Sequence, residues 1–281
     1  MSWIIAAVGI LVFDLHQAQG LAYTLFASSY MMLPAICSII MQLAYKEKPL
    51  RGLGISFKFN RWFVVAGIVP LVYTFAAMGI NLLFPNVSFS AEYTGFLSTL
   101  SPEQAEAAMQ QGAMGQFSPM VFFFLQLGSA IVAGYTINNL FGLGEELGWR
   151  GYFLQALKGT KLLPASLIIG TVWGLWHFPL ILIGHNYPQH PVAGVGMMII
   201  FCILLTPMMI YIVQKSKSVI TASIFHGVNN AIGGITLLYI VGGNDLTNGL
   251  TGLAGFIALL ILNGLFYFFD RYITKENIFT R

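Results

Sequence analysis

From Pro119 to Leu157 the chain reads PMVFFFLQLGSAIVAGYTINNLFGLGEELGWRGYFLQAL. Most of this run is apolar enough to enter a bilayer. Yet Gly144-Glu145-Glu146-Leu147-Gly148-Trp149-Arg150 sets three ionisable side chains inside it. At a helix centre each costs about 2.5–3.5 kcal/mol on insertion scales, so together they cost about 7–10 kcal/mol. A span of about 20 Leu, Ile, Val or Phe residues gains only about 6–12 kcal/mol on the same scale. Such a helix inserts marginally unless its charges find partners, and intramembrane charges of this kind read first as a functional site.

The rest of the chain supports a membrane setting. Of 281 residues, 57% are hydrophobic and 8% charged, against about 25% charged in a soluble domain. Mean hydropathy is +0.77. The chain cannot cover a water-facing surface, so it reads as an all-α, polytopic integral membrane protein, with helices because spanning backbone must satisfy its own hydrogen bonds. The net charge of +3 is spread along loops and does not point to nucleic acid. Cys37 and Cys202 lie in apolar runs and read as free thiols, with no CxxC metal site and no disulfide framework. Met1 to Phe13 lacks a basic n-region and reads as no cleavable signal peptide.

Apolar runs give about eight candidate spans of roughly membrane length: Ser2–Phe13, Leu21–Tyr45, Trp62–Phe84, Pro119–Leu157, Leu162–Ile183, Val192–Val213, Val219–Val241 and Leu250–Phe269. The first is short and the fourth is long. With this arrangement all 13 Lys and Arg fall toward one side. Lys46, Lys48, Arg51, Lys58 and Arg61 lie between spans two and three. Arg150, Lys158 and Lys161 lie toward the next junction on that side, Lys215 and Lys217 at the one after, and Arg271, Lys275 and Arg281 follow the last span. The other side holds Asp14, Glu92, Glu103, Glu106 and Asp245. The positive-inside rule then puts both termini in the cytoplasm, with the plasma membrane as the expected location. In the long exterior loop, Ser101-Pro102-Glu103-Gln104 predicts an N-cap, Pro at N1 and a capping-box Gln opening a short helix through Ala108. The simplest division is one membrane domain, 1–281, with its motif-bearing core at about 119–241.

Three polar groups stand out. Glu146 and Arg150 are at i,i+4 and can pair on one helix face. Glu145 lies about 100° round the helix, with Trp149 rather than a cation at i+4. The second group is Trp173-Gly174-Leu175-Trp176-His177, in which Gly170 and Gly174 permit close helix approach. The third is His226-Gly227-Val228-Asn229-Asn230, with His226 and Asn230 on one face. His16, His185 and His190 read as ordinary loop-surface residues. At about 1.5 Å per residue, Glu146 lies roughly 18 Å before Lys158, His177 roughly 24 Å after Lys161 and His226 roughly 14 Å after Lys217. All fall within a hydrocarbon core of about 30 Å, so they can meet around one intramembrane polar cavity. A carboxylate, two imidazoles and a carboxamide there suit peptide hydrolysis by activated water. No Ser or Cys is placed for a covalent mechanism.

In this order on three spans, the groups resemble the CAAX protease and bacteriocin-processing (Abi) family of intramembrane endopeptidases. That family has a Glu-Glu-x-x-x-Arg motif, an aromatic-x-x-x-His motif and a His-x-x-x-Asn motif. The resemblance implies a glutamate-protease fold of about eight helices. It implies that Glu145 and His177 activate water, that His226 and Asn230 form the oxyanion site, and that Glu146 pairs with Arg150, with Trp173 as a supporting aromatic. The implied partners are the bilayer and a peptide or protein substrate, lipidated substrates among them, with no cofactor and no metal. Two other readings share these residues. One is a metal-dependent intramembrane protease, since His and Glu are zinc ligands, although no HExxH or other conventional spacing occurs. The other is a non-catalytic membrane immunity or peptide-binding protein.

Overall fold

The computed structural model describes residues 1–13, 15, 21–97, 106, 109 and 116–280. Asp14, His16, Arg281 and the capping-box segment 101–104 lie outside the described residues. The architecture is helical. In chain order, α1 is Ser2–Val12, α2 Leu21–Tyr30, α3 Leu33–Ala44, α4 Arg61–Asn81, α5 Thr94–Leu97, α6 Pro119–Tyr135 and α7 Ile137–Glu146. A π-helical stretch, Leu147–Phe153, leads to α8, Leu154–Ala156. Then follow α9 Leu162–Trp176, α10 Phe178–Leu182, α11 Pro191–Ser216, α12 Ile220–Ile232 and α13 Leu253–Phe268.

This is an integral membrane protein. Among the described residues, four helical segments are long and apolar enough to cross a bilayer, Ala22–Ala44, Arg61–Asn81, Pro191–Ser216 and Leu253–Thr274, or five if the bent pair α6 and Ile137–Ala156 is one span. The other three apolar runs form shorter helices: α1, then α9 followed by α10, and α12. Large apolar side chains face outward, such as Leu11 (81% exposed), Phe124 (60%) and Leu265 (58%), which suits lipid and would be an anomaly in water.

Two local features shape the interior. The bend of 44° between α6 and the helix that follows centres on Thr136, whose hydroxyl donates to the Val132 carbonyl at 2.6 Å. Such back-bonding loosens the helical ladder. The second feature is α12, in which every residue from Ile220 to Asn229 is buried. It packs against α4, α6 and α7, while α9 lies along α11 and α13 along α4 and α11. Close approach depends on missing side chains. A Cβ on Gly227 would sit 2.5 Å from the Gly134 carbonyl oxygen, and one on Gly170 or Gly174 would sit 2.5 Å from the Ile203 or Ile199 Cα of α11.

The loops at each end knit together. At one end, β1 (Ser88–Phe89) pairs antiparallel with β2 (Ile240–Val241), Ser88 opposite Val241, a contact the hydropathy pattern did not foreshadow. At the same end Asn81 donates to Asn248 Oδ1 at 2.8 Å and accepts from Gly249 N–H at 2.9 Å. Tyr73 donates to the Leu250 carbonyl and Tyr187 to the Thr251 carbonyl at 2.7 Å. At the opposite end, Val219 N–H donates to the Gly54 carbonyl at 2.9 Å, Asn60 to the Ser216 carbonyl at 3.0 Å, and Lys215 pairs with Glu276.

Candidate active site

Glu145 and Glu146 close α7, and the helix widens into its π-helical stretch immediately afterwards. Such widening is frequent at functional sites. The backbone there is held against α3 and the following loop: a Cβ on Gly148 would lie 2.5 Å from the Pro34 Cβ, and one on Gly151 3.1 Å from the Leu53 carbonyl oxygen. Both glutamates and Arg150 are buried.

The two carboxylates have different surroundings. Glu146 takes Arg150 through Nη1 at 3.1 Å to Oε1 and 3.0 Å to Oε2. Arg150 donates its other arm, Nη2, to Thr206 Oγ1 at 2.9 Å. Thr206 in turn donates to the Cys202 carbonyl at 2.6 Å. The guanidinium also lies over the Trp173 ring, 4.3 Å from its centroid. Glu146 Oε1 further accepts from His226 Nδ1 at 2.8 Å. The Glu145 carboxylate instead receives two indole N–H groups on Oε2, from Trp173 at 2.6 Å and Trp149 at 3.3 Å. Its Oε1 stands 3.9 Å from His226 Nε2, outside hydrogen-bond distance.

His177 Nδ1 lies 2.9 Å from the Trp173 carbonyl. A carbonyl only accepts, so Nδ1 carries a proton, and in the neutral tautomer this leaves the Nε2 lone pair free to accept. Glu145, His177, His226 and Asn230 all line one cavity of about 410 Å³ together with Trp173. Glu146 and Arg150 sit behind that wall. Asn230 and Gly234 also line a second cavity of about 600 Å³ between α6 and α12.

Sequence reasoning missed several residues. The i+4 spacing sets Trp149 near Glu145 but does not reveal it as an indole donor to that carboxylate. Thr206 comes from α11, and nothing in the local sequence links it to Arg150. Asn229, next to Asn230, lines the same cavity and keeps a buried Oδ1 without a hydrogen-bond partner. His185 is not the ordinary surface residue its loop position suggests. It lines the cavity and meets the Tyr23 hydroxyl at 2.7 Å. Burial holds its imidazole below the usual range, so the ring is neutral at pH 7. His190 Nδ1 is 2.6 Å from Asp245 Oδ1. Cys37 and Cys202 are free thiols. Among the described residues, no three His, Cys, Asp or Glu side chains are placed to hold a metal ion.

Residues 119–232, which carry all three motifs, match the family model described as Type II CAAX prenyl endopeptidase Rce1-like. The chain is also 28% identical over 223 residues to the CAAX prenyl protease 2 of Methanococcus maripaludis, covering 73% of this chain and 74% of that protein. The family resemblance carried by the motifs is met in both comparisons, which together support an intramembrane endopeptidase.

Proposed function

We propose that this chain, similar to CAAX prenyl endopeptidases across its motif-bearing segment, hydrolyses a peptide bond within the membrane using water activated by Glu145. The observation that carries the reading is the asymmetry of that carboxylate. One oxygen is tied by two indole donors. The other faces the cavity, 3.9 Å from His226 Nε2 and without the bidentate guanidinium that holds Glu146.

Water held between Glu145 Oε1 and His177 Nε2 gives a proton to Glu145. The resulting hydroxide attacks the peptide carbonyl carbon. Negative charge then develops on the carbonyl oxygen, where the Asn230 amide and the protonated His226 Nε2 donate to it. Fixed donors in a water-poor site are worth far more than donors in water. As the C–N bond breaks, Glu145 returns its proton to the leaving amine. One water is consumed, and one carboxyl and one amine end are released. Glu146 stays paired with Arg150 and anchors His226 through Nδ1, which makes it a positioning residue. The substrate is a peptide or protein segment at the bilayer, prenylated peptides being the class that the name of the relative specifies.

The test is incubation of purified protein with a membrane-peptide library, wild type beside Glu145→Gln. Defined cleavage by the wild type and none by the variant, with equal folded protein, is expected. Equal cleavage by both removes Glu145 from its role.

A further inference from the structure

Trp149, Trp173 and Trp176 are buried alike, 8%, 3% and 7% exposed. They belong to one neighbourhood: Trp173 and Trp176 share α9, and the Trp149 and Trp176 rings meet with centroids 6.0 Å apart. Their indole N–H groups are not alike. Trp173 Nε1 donates to Glu145 Oε2 at 2.6 Å, and Trp149 Nε1 donates to the same oxygen at 3.3 Å. Trp176 Nε1 is buried without a hydrogen-bond partner. Trp173 has further ties. Its carbonyl holds His177 Nδ1 at 2.9 Å. The Arg150 guanidinium lies 4.3 Å from the centroid of its ring, and the His226 ring centroid is 5.6 Å away. Its neighbour Gly174 brings α9 against α11 so closely that a Cβ there would sit 2.5 Å from the Ile199 Cα. The backbone that carries the indole is thereby fixed. One residue thus touches both sides of the water site, Glu145 through its N–H and His177 through its carbonyl.

A carboxylate held through one oxygen has lost its freedom to rotate. Donors to the charged form of a carboxylate favour that form, and the oxygen that takes them is the poorer proton acceptor. We infer that Trp173, with Trp149 in second place, is a positioning residue for the base: the two indole N–H groups hold Glu145 Oε2, leave Oε1 to take the proton from water, and set how strongly it does so. The Trp173 carbonyl aligns the other side of that water by fixing the His177 ring. A phenyl ring would supply the aromatic face and not the donor, so the role belongs to tryptophan rather than to aromatic residues in general. The water and its proton rest on the protease reading above, whereas the hold on the carboxylate stands on the contacts alone. The titratable and charged groups around Glu145 are Glu146 and Arg150 beside it in sequence, Tyr30 from α2, His177 from α9, Cys202 from α11 and His226 from α12. Replacing an indole by a phenyl ring removes none of them.

The experiment compares Trp173→Phe, Trp149→Phe and Trp176→Phe in the full chain in detergent. Each removes the same atoms from a buried site, and an effect of lost packing has no reason to follow N–H contact. One readout is the acid limb of kcat/KM for peptide cleavage. The other needs no substrate: the infrared carboxyl band, taken as a difference against the same protein carrying Glu145→Gln, gives the protonation midpoint of Glu145. Both should rise by about one pH unit in Trp173→Phe, the scale of one hydrogen bond to a charged group. They should rise by less in Trp149→Phe and stay in place in Trp176→Phe. Trp173→Phe should also lower kcat about 10–10²-fold with KM little changed, because the base loses its aim. Where Phe at 173 lowers the yield of folded protein, 3-benzothienylalanine keeps the bicyclic shape with sulfur in place of the N–H, and the same rise is expected. Any other order of the three midpoints overturns the inference. If the infrared order holds while the wild type cleaves no peptide, the protease reading fails and the hold of the indoles on Glu145 stands.

Discussion

At the scale of single residues, the two adjacent glutamates should separate experimentally. Glu145→Gln keeps shape and both indole contacts within reach but removes the base. Peptide cleavage should vanish, while thermal stability in detergent stays near wild type. Glu146→Gln strands Arg150, and breaking such a buried pair typically costs about 3–5 kcal/mol. It should therefore lower the melting temperature first, and cleavage falls further because His226 loses its Nδ1 anchor. Arg150→Met should share the stability loss. The double variant should cost much less than the sum of the two, because no lone charge is left. Asn230→Ala tests the oxyanion role: loss of one such donor typically lowers kcat about 10²–10³-fold, with KM nearly unchanged. Cleavage should also survive chelators, because Glu146 is committed to Arg150 and the His226 Nδ1 is committed to Glu146. Loss of activity with chelator and recovery with zinc alone would reject this.

At the scale of elements, glycine placement gives a matched pair of substitutions. Gly170→Ala puts a methyl 2.5 Å from the Ile203 Cα, which is backbone and cannot swing aside, whereas Gly196 on α11 has nothing within 4 Å of its would-be Cβ. Gly170→Ala should destabilise by about 1–3 kcal/mol as overpacking. Gly196→Ala should be neutral or stabilising by up to about 1 kcal/mol through helix propensity. Melting curves of the two proteins in one detergent provide the comparison. The close approach of α9 was legible from Gly170 and Gly174, and the Glu146–Arg150 pair was legible from its i,i+4 spacing. Helix lengths were less so. Hydropathy sees one run from Leu162 to Ile183, but the chain turns at His177 because Pro179 has no N–H to continue the ladder. Likewise Val219–Val241 is interrupted after Ile232, where Gly233 and Gly234 follow. Contacts between distant helices leave no local trace, so Thr206 beneath Arg150 and Trp173 on Glu145 needed the folded molecule.

At the scale of the whole molecule, the Lys and Arg bias makes a topology that reporter fusions can check. A fusion after Arg61 should report the cytoplasm, and one within Pro85–Ser118 the exterior. The same location for both would break the expected arrangement. The edge of the cavity formed by Leu250 and Thr251 belongs to this scale too, because residues from distant parts of the chain hold it. Asn81 grips both Asn248 and Gly249, Tyr73 holds the Leu250 carbonyl, and Tyr187 holds that of Thr251. Pinned from several sides, this edge of the cavity is a fixed frame: its shape is set by the fold before anything enters.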